Sequence, residues 1–172
     1  MTTDTSRPRS KAKPNAALAT TQEPPPLGEG LFSALSLEEL QNLFQELGLR
    51  AEITADLNGK PIISSATSGL VFNVRPGAIA TGSPKDGPVT YIDFTFVVPM
   101  RIGRPMPPGV TNNWNRSKRF ARLYEEPDFL CLEFDIFIAP GVTRQFVLTA
   151  IDLWNRLIGE FQQHLRNAFG AS

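Results

Sequence analysis

Apolar residues recur along this chain with two periods, and each change of period marks an element. Leu37, Leu40, Phe44 and Leu47 share one face of a 3.6-residue repeat. Ser36 followed by Glu39 forms a capping box, and Leu35 with Leu40 forms the hydrophobic staple around it. The spacing predicts a helix that opens at Leu37 and is closed by Gly48 at C′. The period then drops to two. Ala51, Ile53 and Ala55 lie on one side of a strand reaching Leu57, Asn58-Gly59 makes a tight hairpin, and residues 61–65 return as a short strand. Residues 69–75 form a third strand with Leu70, Phe72 and Val74 inward, and residues 89–99 a fourth with Ile92, Phe94, Phe96 and Val98 on its apolar side. Two Pro- and Gly-rich stretches, 76–88 and 101–109, read as loops.

The densest stretch runs from Thr111 to Ile138. Pro107-Pro108-Gly109 breaks regular structure, so Thr111 is expected as the N-cap of a helix reaching about Phe120, with Trp114, Ala121 and Phe120 inward and Arg116, Ser117 and Lys118 splayed outward. Glu125-Glu126-Pro127-Asp128 is turn chemistry and joins a short strand, 122–125, to a long one, 129–138. In that long strand Leu130, Leu132, Phe134, Ile136 and Ile138 are all apolar, while the other face mixes Phe129, Cys131 and Phe137 with Glu133 and Asp135. After Ala139-Pro140-Gly141, Thr143 caps a last helix and Val142 staples to Val147. Its apolar face runs through Ala150, Ile151, Trp154, Ile158, Phe161 and Leu165 to about Phe169. Phe146, Leu153 and Leu157 widen that face. The order predicts an α+β domain over residues 34–172: an antiparallel sheet of about five to six strands with three helices gathered on one face.

Residues 1–33 carry Pro8, Pro14, Pro24, Pro25 and Pro26 among Ser, Thr and Ala, and are expected to be a disordered, basic, proline-rich tail. Its Arg7, Arg9, Lys11 and Lys13 precede no apolar segment, so it is not read as a secretory signal. Nowhere do 18 apolar residues follow one another. Membrane insertion is therefore not expected, and the location is read as cytoplasmic. The formal net charge is +0 and charged residues make up 20 %, which draws the chain neither to nucleic acid nor to lipid. One cysteine, Cys131, and one histidine, His164, exclude an internal disulfide and a Cys/His zinc site, and no cofactor is expected. Cys131 reads as a small apolar filler in a strand, and His164 as a surface residue near a helix C-terminus.

Three constellations could carry chemistry. Asp93, Glu133 and Asp135 lie on mixed strand faces and could meet as an acid/base pair or hard-cation site. With Arg75 and Lys60 as plausible neighbours, ordinary ion pairs are the simpler reading. Arg116, Lys118, Arg119 and Arg122, beside Trp114 and Tyr124, could bind phosphates or an acidic partner. Against that stand the neutral balance and Glu125-Glu126 just downstream, and a solvated, salt-bridged face is preferred. Asn112 and Asn115 read as a lock between helix and loop rather than as substrate contacts.

Asn112, Trp114, Asn115 and Arg116, then Arg119-Phe120-Ala121-Arg122 and Tyr124, then Leu132-Glu133-Phe134-Asp135, together resemble the signature of the YbjN family, bacterial sensory transduction regulators. The resemblance spans roughly residues 35–161, and it implies a type III secretion chaperone-like fold and a homodimer. The expected function is a non-catalytic, protein-binding or chaperone-like regulatory module of a bacterial cell. The alternative is a small-molecule or nucleic-acid sensing regulator that uses the basic helix 111–122. No catalytic or metal residues are assigned. The candidate partner-binding residues are Trp114, Arg116, Arg119, Arg122, Phe137 and Leu153. The partners expected are a second copy and another protein; nucleic acid is not expected.

Overall fold

In the computed structural model, which describes residue 1 and residues 30–83, 85–103 and 105–170, the elements follow the predicted order with three added two-residue strands and with the strand expected over 89–99 divided at Ile92. They are β1 (Leu31–Phe32), β2 (Leu35–Ser36), α1 (Leu37–Glu46), β3 (Ala51–Ala55), β4 (Pro61–Thr67), β5 (Leu70–Pro76), β6 (Thr90–Tyr91), β7 (Asp93–Arg101), α2 (Val110–Ser117), β8 (Ala121–Glu126), β9 (Phe129–Phe137), β10 (Val142–Thr143) and α3 (Arg144–Gly170). Six strands form one antiparallel sheet in the order β3-β4-β5-β7-β9-β8. An α+β fold with three helices is thus what the sequence encodes. The tail expected over 1–33 falls largely outside the described residues. Within it, Leu31 and Phe32 pair with Thr143 and Val142 and so join the folded part.

The α1 capping box forms as its sequence requires: Glu39 N–H donates to Ser36 Oγ at 3.2 Å and Ser36 N–H to Glu39 Oε2 at 2.7 Å. Directly opposite residues in an antiparallel sheet share a face. The rows Ile63–Val74–Phe96–Phe134–Ala121 and Val98–Leu132–Leu123 therefore line the inner face, and all of them are buried. Trp154 of α3 lies over them, edge-on to Phe72 and Phe96 at 5.9 Å and stacked on Phe134 at 6.2 Å. Contacts of this kind add about 0.5–1.5 kcal/mol each beyond area burial. At the α2 end, Trp114 is fully buried edge-on to Phe161, and its Nε1 donates to the Ala121 carbonyl at 3.0 Å. No helix among the described residues is long and apolar enough to cross a membrane.

Four local expectations are corrected. Thr111 does not cap α2: the N-cap is Gly109, at φ +82°, where a residue with a Cβ is strained. The helix stops at Ser117, and Phe120 turns outward at φ +74°, 64 % exposed, because the chain must reverse within three residues to enter β8. The β3–β4 turn spans three residues rather than two. Asp56 N–H donates to the Lys60 carbonyl at 2.8 Å, Gly59 takes φ +77°, and Asp56 Oδ1 accepts from the N–H groups of Asn58 and Lys60. Finally, the extra apolar arc of α3 is largely consumed by the core. Leu157 is buried and Leu153 half-buried, because α3 packs against α1 and α2 as well as the sheet; Phe146 alone of the three stays exposed.

Candidate binding face of the sheet

With the helices on one side, the other face of the sheet is left without a covering element among the described residues. The alternation that sends Phe96 and Phe134 inward sends Val97 and Glu133 outward, and register aligns Asn73, Val97, Glu133 and Arg122 in one row across four strands. The neighbouring row holds Arg75, Thr95 and Asp135, and the next Pro99, Cys131 and Tyr124. Though this face carries no helix, Ile62, Val97, Cys131 and Glu133 are buried by the side chains around them, Glu133 to 8 % exposure.

Glu133 is the hub of the polar part. Its Oε1 accepts from Arg122 Nη2 at 2.8 Å and lies 3.7 Å from Arg75 Nη2, while its Oε2 accepts from the Tyr124 hydroxyl at 2.5 Å. Arg122 turns its other nitrogen to Asp135 Oδ2 at 2.7 Å, and Asp135 Oδ1 accepts from Thr95 Oγ1 at 2.7 Å. A guanidinium thus sits between the two carboxylates, in the place a cation would take, and satisfies both. Burial, with the hydrogen bond to Glu133 after it, pushes the Tyr124 phenol well above its ordinary range. Burial likewise raises the Cys131 thiol. Neither group is poised to ionise near neutrality.

Beside this network lies a groove of about 570 Å³. Its floor is apolar, from Ile62, Val97 and Cys131; Asn73, Arg75, Tyr124 and Glu126 supply polar atoms, and residues 54–58 of the β3–β4 hairpin form one wall. A second depression of about 480 Å³ continues round the hairpin and shares Asp56, Asn58, Ile62 and Arg75 with the first.

The residues singled out in the sequence scatter. Trp114 has no exposed surface, so it holds the core and cannot meet a partner directly. Leu153 is half-buried against the core, and Phe137 is exposed opposite Asp93. Arg116 is exposed on α2, and Arg119 lies over the Phe120 ring at 5.3 Å. Lys118 pairs with Glu160 of α3 at 2.6 Å and Arg122 with the sheet carboxylates, so the basic group is not one patch, and Glu125-Glu126 is not what neutralises Arg122. Asp93 stands apart from Glu133 and Asp135: its Oδ1 accepts from Ala78 N–H at 2.8 Å, and a Cβ on Gly77 would overlap its carboxylate. His164 is not at an open surface. Its Nε2 donates to the Val110 carbonyl at 2.9 Å and its ring meets Trp114 edge-on at 5.5 Å. Sequence reasoning set Tyr124 with the basic group rather than with the carboxylates and missed Thr95, although their shared face with Glu133 and Asp135 follows once the strands are paired in register.

Comparison with known proteins agrees with the resemblance drawn above. Searches of curated proteins and of solved structures returned no match. A family model described as "Putative bacterial sensory transduction regulator", YbjN, matches residues 36–167, which take in α1, the whole six-stranded sheet, α2 and most of α3. The chain belongs to the YbjN family.

Proposed function

We propose that this chain is a non-catalytic regulatory module that recognises a segment of another protein on the open face of its sheet, in the groove beside Glu133. The likeness to type III secretion chaperones, the cytoplasmic location and the homodimer belong to this proposal. The observation that carries it is the groove itself: an apolar floor with a polar rim, on a face that three helices leave free. A peptide segment suits such a surface, because an apolar side chain can fill the floor while backbone groups meet Asn73, Arg75 and the Tyr124 region. Fixed polar partners within the sheet hold that rim in place before anything binds, which lowers the ordering cost of association.

Affinity capture from the native cytoplasm tests this, with the parent chain, Asn73→Arg and the double variant Arg116→Glu/Arg119→Glu as baits. The reading expects a protein captured by the parent and by the helix variant and lost with Asn73→Arg. Capture that survives Asn73→Arg but is lost on changing Arg116 and Arg119, or recovery of nucleic acid instead of protein, supports the sensing alternative and overturns the groove.

A further inference from the structure

The two edges of the sheet are finished differently. On β8 the outward backbone groups are taken by side chains of α2: Trp114 Nε1 donates to the Ala121 carbonyl at 3.0 Å, and the Asn115 amide bonds both the N–H and the C=O of Leu123. On β3 the outward groups of residues 53–55 have no partner strand among the described residues. Asp56 N–H points inward, to the carbonyl of Lys60 just before β4, and alternation therefore turns Ile53 and Ala55 N–H and C=O away from the sheet. Gln41 Nε2 covers the Ala51 carbonyl at 2.8 Å and stops there. Residues 52–55 are all exposed, with no proline or bulge to blunt the edge.

We propose that β3 is a docking edge for a second copy of this chain, pairing antiparallel about a twofold axis at Ile53. The inference gives the expected homodimer its surface, and it does not depend on what the groove binds. Register is selected by charge. In a twofold pair, opposite residues must share a face, so the axis can pass only through a residue of the strand. An axis at Glu52 sets the two Glu52 side chains against each other, and one at Thr54 sets Glu52 against Asp56. An axis at Ile53 sets Arg50 against Asp56 of the second copy, twice, and Glu52 against Thr54. The same register stacks Ala51, Ile53 and Ala55 on Ala55, Ile53 and Ala51, an apolar seam on the inner side, and covers an Ile53 that is 38 % exposed. It also carries Leu57, fully exposed at the hairpin tip, toward Leu49 of the second copy. Ile53 then exchanges both backbone hydrogen bonds with its symmetry mate.

Light scattering and sedimentation of the full chain up to about 100 µM test the proposal, since dimer population depends on protomer concentration. The parent should be dimeric. Ile53→Pro removes an outward N–H that β4 does not use, and Arg50→Glu places like charge against Asp56; each should raise the dissociation constant tenfold or more, about 1.4 kcal/mol. Circular dichroism and the melting midpoint report whether each variant is folded, and Arg50→Glu decides alone if Ile53→Pro is not. Phe137→Glu, on the far end of the open face, should leave the dimer intact. A strictly monomeric parent, a dimer that Arg50→Glu leaves unchanged, or a dimer that only Phe137→Glu dissociates would each overturn the assignment.

Discussion

Asn115 and Leu123 grip each other through both ends of one side-chain amide: Nδ2 donates to the Leu123 carbonyl at 2.8 Å and Oδ1 accepts from the Leu123 N–H at 2.9 Å. The side chain does for β8 what a seventh strand would do, and it ties α2 to the sheet edge. Asn115→Ala leaves a half-buried donor and acceptor without partners, at a cost of about 1–3 kcal/mol. Asn115→Asp should be no better, since it sets an oxygen against the Leu123 carbonyl. Urea unfolding measures both, as a lower midpoint at unchanged slope.

Trp114→Ala should cost about 3–5 kcal/mol, because it empties a fully buried site against Phe161 and strips the Ala121 carbonyl of its donor. Arg116→Ala, on an exposed position of the same helix, should shift stability by less than about 0.5 kcal/mol. Thermal melts of the two variants side by side give the contrast.

The carboxylate hub sets a third expectation. Glu133→Ala leaves Tyr124 and Arg122 each short of an acceptor, whereas Arg122 keeps Asp135. A double-mutant cycle between Tyr124→Phe and Glu133→Ala should return a coupling of about 1 kcal/mol, and no coupling would show that the contact contributes nothing to stability.

Alkaline pH supplies a fourth. The Tyr124 and Cys131 groups both have folded-state pKa values raised, first by burial. Below their ordinary ranges both are protonated in folded and unfolded chains alike, so their contribution is fully present. As pH rises past those ranges the unfolded chain releases protons that the folded chain still holds, and stability falls. Melting midpoints should therefore decline on the alkaline side, and Tyr124→Phe should flatten the part of the decline above about pH 10. Cys131, the only cysteine, should react slowly with a thiol reagent at pH 8 until the chain is unfolded.

Most of the fold was legible because it rests on local signals. Ser36 with Glu39 marks a helix start, alternation marks the faces of β7 and β9, and Thr143 caps α3, where the Phe146 N–H reaches its Oγ1 at 3.2 Å. What failed was of another kind. Gly109 as a cap and Phe120 at positive φ answer to the tertiary path of the chain, and no propensity encodes that. The site was half legible. Glu133 and Asp135 stood out as charges in an apolar strand, yet their partners Tyr124, Thr95 and Arg122 lie on neighbouring strands and are fixed only by register. The basic residues misled for the same reason, since Arg122 and Lys118 follow one another closely in sequence and end on different partners.

The groove reading is tested most directly by a photo-crosslinking side chain placed at Glu126, an exposed position on the groove rim, with Arg116 on α2 as the comparison site. Irradiated in the native cell, the Glu126 position should yield a discrete covalent adduct with another protein while the Arg116 position yields none. Adducts only from Arg116, or none from Glu126 while the chain is folded and present, would contradict the open sheet face as the binding surface.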